Sequence, residues 1–132
     1  MAEAVLANAN DWFEANIFRQ LETADDSSGA VYRMFDALEQ YFCSGQRVCL
    51  VGAMALDSSR DSFANKVSAY FERWSIALSG ALRRSGFSPP DAERLSYEVI
   101  GGIQGAIVLS RALNQASIFS DSTSSLKSRC RV

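Results

Sequence analysis

The side chains in this sequence with most to offer a partner molecule are aromatic. Trp12, Phe13, Phe35, Phe42, Phe63, Phe71 and Trp74 fall on what read as the inner faces of helices. Such a set either fills a core or lines a cavity for an apolar or aromatic small molecule, because ligand pockets are built from the same residue types. In the second case Asn16 and Ser75 are candidate polar anchors. The chemistry on offer is reversible binding by burial, and spacing alone leaves the filled core and the lined cavity both open.

Covalent chemistry has few candidates. Histidine is absent, which removes His-based triads and the side chain that titrates most readily near neutral pH. Asp25 and Asp26 fall in a polar break and read as solvated helix caps. No glycine-rich phosphate loop follows a strand. Three cysteines, Cys43, Cys49 and Cys130, cannot pair completely, and the spacing of the first two matches no zinc pattern. They are expected to be free thiols in a reducing cytoplasm. No enzyme activity, catalytic residue, metal or cofactor is expected.

Charge narrows the partners further. The net charge is −2, and Glu3, Asp11, Glu14, Glu22, Asp25 and Asp26 face only Arg19 near the start. Basic residues cluster only at Arg83–Arg84 and in the tail Lys127, Arg129 and Arg131. A nucleic-acid surface needs a basic stripe, so no direct nucleic-acid contact is expected. Met1 to Leu21 is acidic and amphipathic rather than a basic leader before an apolar block.

These residues must be positioned by helices. The expected fold is all-α: one domain over residues 1–132, a bundle of about six helices. The first runs from about Ala2 to Leu21, with Val5, Leu6, Ala9, Trp12, Phe13, Ile17 and Leu21 in its apolar stripe. It begins without a cap, as though a preceding segment were missing. Val31, Met34, Phe35, Leu38 and Phe42 mark the second, and Gly45 is a suitable stop. Val48 to Leu56 reads as a short buried helix. The fourth, about Asp61 to Ser85, carries Phe63, Val67, Tyr70, Phe71, Trp74, Leu78, Ala81 and Leu82 on one face and ends at Gly86. Ser88, Pro89, Pro90 and Asp91 start a fifth helix that reaches about Leu113. A serine-rich sixth follows from Gln115, with Ile118, Phe119, Ser122 and Leu126 as its inner face.

The fifth helix carries the other pattern of interest. Val99 to Leu109 contains no charge and one polar side chain, Gln104. A helix apolar all round leaves one face in water unless something covers it, and this run is shorter than the ~20 residues a membrane span needs. Gly101 and Gly105 are four apart, as are Gly102, Ala106 and Ser110. Each glycine inside a helix costs about 1 kcal/mol relative to alanine, so close approach of another backbone is the expected compensation. A homodimer is therefore expected, with Gly101, Gly105, Ala106, Leu109 and Leu113 at its interface. The alternative is close packing within one bundle.

The order of segments resembles a known family. CLVGAMAL at residues 49–56, followed by the long helix with Trp74, is the most telling part, and the glycine-rich run from Ile100 to Leu113 is the second. Together these resemble the C-terminal regulatory domain of TetR-family repressors of the LmrA/YxaF-like type. The resemblance implies a homodimer whose last two helices form a four-helix bundle. It implies a cavity for a small hydrophobic or aromatic effector among the first, second, fourth and fifth helices. Trp12, Phe13, Asn16, Phe35, Phe71 and Trp74 are the expected ligand-binding residues. It also implies a preceding helix-turn-helix domain, which this sequence lacks, so any control of DNA binding would act through that missing domain. The competing expectation is a ligand-free helical dimerisation protein with a solid core.

Overall fold

The computed structural model describes residues 2–42 and 60–131, with side chains described over 7–42 and 65–131. The expected short helix at Val48–Leu56, Cys43, Cys49 and the Phe63 side chain lie outside the described residues.

All the described elements are helical. They are α1 (Ala2–Phe13), a π-helical turn (Glu14–Phe18), α2 (Arg19–Thr23), α3 (Ser27–Tyr41), α4 (Arg60–Ser85), α5 (Pro89–Ala112) and α6 (Ala116–Arg129). The all-α expectation holds, and the boundaries follow cap chemistry. Asp26 accepts the Gly29 N–H at 3.0 Å to open α3. A Cβ on Gly29 would lie 2.3 Å from the Asp26 carboxylate, so a larger residue there would make the Asp26 side chain shift. Gly86, at φ 124°, ends α4 in a left-handed turn that returns the Phe87 N–H to the Leu82 carbonyl at 3.1 Å. Ser88 then caps α5 by accepting the Asp91 N–H, with proline in the first turn. Asn114, at φ 52°, closes α5. Asparagine tolerates this region, so it does the work of a C-terminal glycine.

The first helix departs from the sequence expectation. It is not one α-helix from Ala2 to Leu21, because Glu14–Phe18 widens into a π turn. Phe13, Ile17, Phe18 and Leu21 are all buried. In an α-helix, residues five apart point about 140° away from each other, so Phe13 and Phe18 could not share a face. The wider turn brings their rings to 5.9 Å, and both rings meet Tyr70, at 5.0 and 5.9 Å.

One core joins the described helices. Ala30, Val31, Met34, Phe35 and Leu38 of α3 share it with Tyr70, Trp74, Leu78, Ala81 and Leu82 of α4 and with Val99, Ile103 and Ile107 of α5. The sixth helix is longer and better seated than its serine content suggests. Of the expected inner face, Phe119 is buried and Ile118, Ser122 and Leu126 are half-buried; Thr123 and Cys130, which the sequence reading left out, are buried as well. Serine lowers intrinsic helix propensity, and tertiary packing overrides it here. Burial pushes the Cys130 thiol up to about 11, well above its ordinary value, so this thiol stays protonated and unreactive near neutral pH.

Polar contacts tie the first segment to α4. Arg73 reaches Glu14 at 2.6 Å and Glu22 at 2.9 Å, and its guanidinium lies 5.5 Å from the centre of the Phe18 ring. Arg84 donates to the Leu21 carbonyl and, at 3.3 Å, to the Ser27 hydroxyl. Two further bridges, Arg129–Glu98 and Lys127–Asp36, are exposed and add little to stability.

Gly102 sits where α5 and α6 press together. A Cβ there would lie 2.8 Å from Leu126 Cδ1, whereas one on Gly101 would meet nothing within 4 Å. Gly102→Val is expected to lower stability by about 1–3 kcal/mol through overpacking. Gly101→Ala is expected to leave the single subunit's fold unstrained, because its new methyl enters open space. Urea unfolding of both variants beside the parent, read by circular dichroism, checks the contrast.

Candidate functional site

Two regions of the described structure collect the sequence-derived candidates. The first is an aromatic cluster where α1, α3 and α4 converge. Phe13 is at its centre, 1% exposed, with Trp74 at 5.3 Å, Tyr70 at 5.0 Å and Phe42 at 6.3 Å. Trp12 closes one side, half-buried and 4.1 Å from the Tyr41 ring. Most of these pairs are tilted or edge-to-face, the arrangement that ring quadrupoles favour.

Trp74 is fully buried, and its indole Nε1 has no hydrogen-bond partner among the described residues. A buried tryptophan N–H ordinarily finds an acceptor, and leaving one unmade costs about 1–3 kcal/mol.

The structure divides the six expected ligand-binding residues. Phe13 and Trp74 are in contact and Trp12 flanks them. Asn16 is exposed, and its side-chain amide donates at 2.9 Å to the Trp12 carbonyl, so it serves its own helix rather than the cluster. Phe35 is buried in the common core and borders a groove of about 170 Å³ between α3 and α6 with Asp36, Glu39 and Ser120. Phe71 turns outward, in an open groove of about 430 Å³ with Ser68, Glu72, Ser75, Tyr97 and Ile100. Ser75 donates to the Glu72 carbonyl at 2.9 Å. Sequence reasoning placed Tyr70 on the correct face of α4 without marking it as central. It overlooked Phe18, which joins the cluster only because of the π turn.

The second region is the outer face of α5. Tyr97, Gly101, Gly105, Leu109 and Leu113 stand at four-residue steps and all are exposed. Tyr97 is 59% exposed, Val108 59%, Leu109 52% and Leu113 58%, an apolar concentration that single surface residues would not produce. The glycines leave a shallow notch between Tyr97 and Leu109, and a Cβ on Gly101 or Gly105 would meet nothing within 4 Å. Ala106 belongs to the other small-residue row. It is 3% exposed and, with Gly102 and Ser110, faces its own chain, so it does not share the outer face with the other four expected interface residues.

Among the described residues no three His, Cys, Asp or Glu side chains converge to hold a metal ion. No helix among them is long and apolar enough to cross a membrane.

Residues 21–123 match the family model described as transcriptional regulator LmrA/YxaF-like, C-terminal domain. No curated protein and no solved structure matches the chain.

The division of the aromatic residues has a measurable consequence. Phe13→Ala is expected to cost about 3–5 kcal/mol, since it empties the point where three helices meet. Asn16→Ala is expected to cost less than about 1 kcal/mol, since it removes one exposed hydrogen bond. Denaturant unfolding of the two variants reads the difference directly.

Proposed function

Because this chain belongs to the LmrA/YxaF-like C-terminal domains of TetR-family transcriptional regulators, we propose that it senses a small effector and dimerises. The effector would be an apolar or aromatic molecule carrying at least one hydrogen-bond acceptor. The observation that carries this reading is the unpartnered indole N–H of Trp74, buried among the rings of Phe13 and Tyr70. An acceptor on the effector would satisfy that donor, and the surrounding rings would cover the apolar body. Phe13, Trp74 and Trp12 are the binding residues of this proposal. Phe35, Phe71 and Asn16 fall outside it.

The outer face of α5 supports the dimer. A second subunit laid along Tyr97, Gly101, Gly105, Leu109 and Leu113 would cover side chains that are otherwise in water, and the glycine notch would admit a close helix crossing. That gain offsets the propensity lost at Gly101 and Gly105. In an intact regulator, effector binding would favour one of two subunit arrangements and so set the spacing of the DNA-reading domains. The rival reading is a ligand-free dimerisation protein, and the close ring-to-ring packing around Phe13 favours it.

A thermal-shift and fluorescence screen with neutral planar aromatic compounds, some bearing a carbonyl acceptor, separates the two readings. Trp12→Phe leaves Trp74 as the sole tryptophan reporter. Saturable quenching is expected, with stabilisation of about 2.7 kcal/mol at a hundredfold excess over Kd. Trp74→Phe is expected to weaken binding about tenfold, the factor for one lost hydrogen bond. Absence of quenching and of any shift across the panel overturns effector sensing and leaves the rival.

The interface is tested separately by sedimentation or light scattering. The parent chain is expected to be a dimer and Gly105→Leu a folded monomer. A Gly105→Leu protein that remains a dimer moves the interface elsewhere.

A further inference from the structure

We infer that the groove between α4 and α5 binds a free amino acid with a large apolar side chain, at a site separate from the aromatic cluster around Phe13. The groove measures about 420 Å³ and is bordered by Ile76, Ser79 and Arg83 of α4 and by Pro89, Glu93 and Tyr97 of α5. Small-molecule sites run from roughly 300 to 1,000 Å³, so it is large enough. Ser75 and Tyr97 also border the groove of about 430 Å³ beside Phe71, so one trough continues along the two helices. Because α4 and α5 double back on each other at Gly86, the lining residues are ordered along it. Arg83 and Pro89 stand nearest the turn, then Ser79 and Glu93, then Ile76 and Tyr97, with Phe71 and Ile100 last.

Charge and polarity follow the same order. Arg83 and Glu93 are exposed, opposite in sign and on facing helices, yet no ion pair joins them. Among the described residues neither side chain has another hydrogen-bond or ion-pair partner. An α-amino acid carries a carboxylate and an ammonium on one carbon, which is the pair of charges these two can hold. The guanidinium of Arg83 would donate to the carboxylate, and the Glu93 carboxylate would accept from the ammonium. The Ser79 hydroxyl donates to the Ile76 carbonyl at 3.2 Å, which leaves its oxygen to accept a further ammonium N–H. Farther along, Ile76 and Tyr97 are each 59% exposed, and an apolar side chain lying between them would cover both. A neutral aromatic compound would use neither charge, and a lone anion or cation would meet one of like sign. Ile76, Ser79 and Arg83 lie off the row proposed to meet a second subunit, which Tyr97 only begins. The site therefore depends on neither the effector nor the dimer reading.

Equilibrium dialysis of the full chain with L-phenylalanine, joined to amide shifts in NMR spectra, tests the site. Saturable binding of one molecule per chain is expected, with shifts confined to residues 75–83 and 89–100. N-acetyl-L-phenylalanine amide, which lacks both charges, and L-alanine, which lacks the large side chain, are each expected to bind about tenfold more weakly. Arg83→Gln and Glu93→Gln are each expected to weaken phenylalanine binding about tenfold, the factor for one lost charged hydrogen bond. Arg94→Gln is the control, because that exposed arginine pairs with Asp91 outside the trough, and full affinity is expected. No saturable binding, equal affinity for the capped compound, or full affinity in either the Arg83 or the Glu93 variant overturns the site. Shifts gathered at residues 7–18 and 70–74 overturn it as well, by assigning the ligand to the aromatic cluster. The screen of neutral aromatic compounds can succeed or fail without changing any of these results.

Discussion

The described structure depends most on a single ring. Phe13 meets Trp12 and Phe18 within its own segment, Tyr41 and Phe42 at the end of α3, and Tyr70 and Trp74 on α4. Three helices are oriented by the need to surround it. The π turn follows from that need, since Phe18 also has to reach Tyr70. Arg73 can grip carboxylates on both ends of the turn only because the turn is held against α4.

The second organising constraint is α5, which must satisfy neighbours on more than one side. Its inner residues Val99, Ile103 and Ile107 join the common core, and Gly102 lets α6 come close through Leu126. The outward row from Tyr97 to Leu113 has no such neighbour within the described chain. Two rows of small residues on one helix therefore have different causes. One is fixed by intrachain packing, and the other is left open by it.

Much of this was legible in the sequence. Helix faces in α3 and α4 followed apolar periodicity, and Asp26, Gly86 and Ser88 marked boundaries through cap chemistry that is local and so readable. The first helix misled because Phe13, Ile17 and Leu21 repeat every four residues, a pattern that fits an unbroken α-helix. Only Phe18, at an i+5 position, signalled otherwise. The glycine rows were visible, but Ala106 could not be assigned to a side until the rotation of α5 was known. The aromatic residues were identifiable as inward-facing, yet which of them meet depends on crossings between helices. Phe35 keeps the expected inner face of α3 and also borders a groove toward α6, whereas Phe71 turns outward from α4 into an open groove.

The contacts that secure the start of the chain reach far along it. Glu14 and Leu21 find Arg73 and Arg84 some 59 and 63 residues later. During synthesis at about 5–20 residues per second, the apolar stripes of the first two helices therefore emerge several seconds before α4 exists to cover them. Helices α1 to α3 can complete their packing only when translation has passed Arg84.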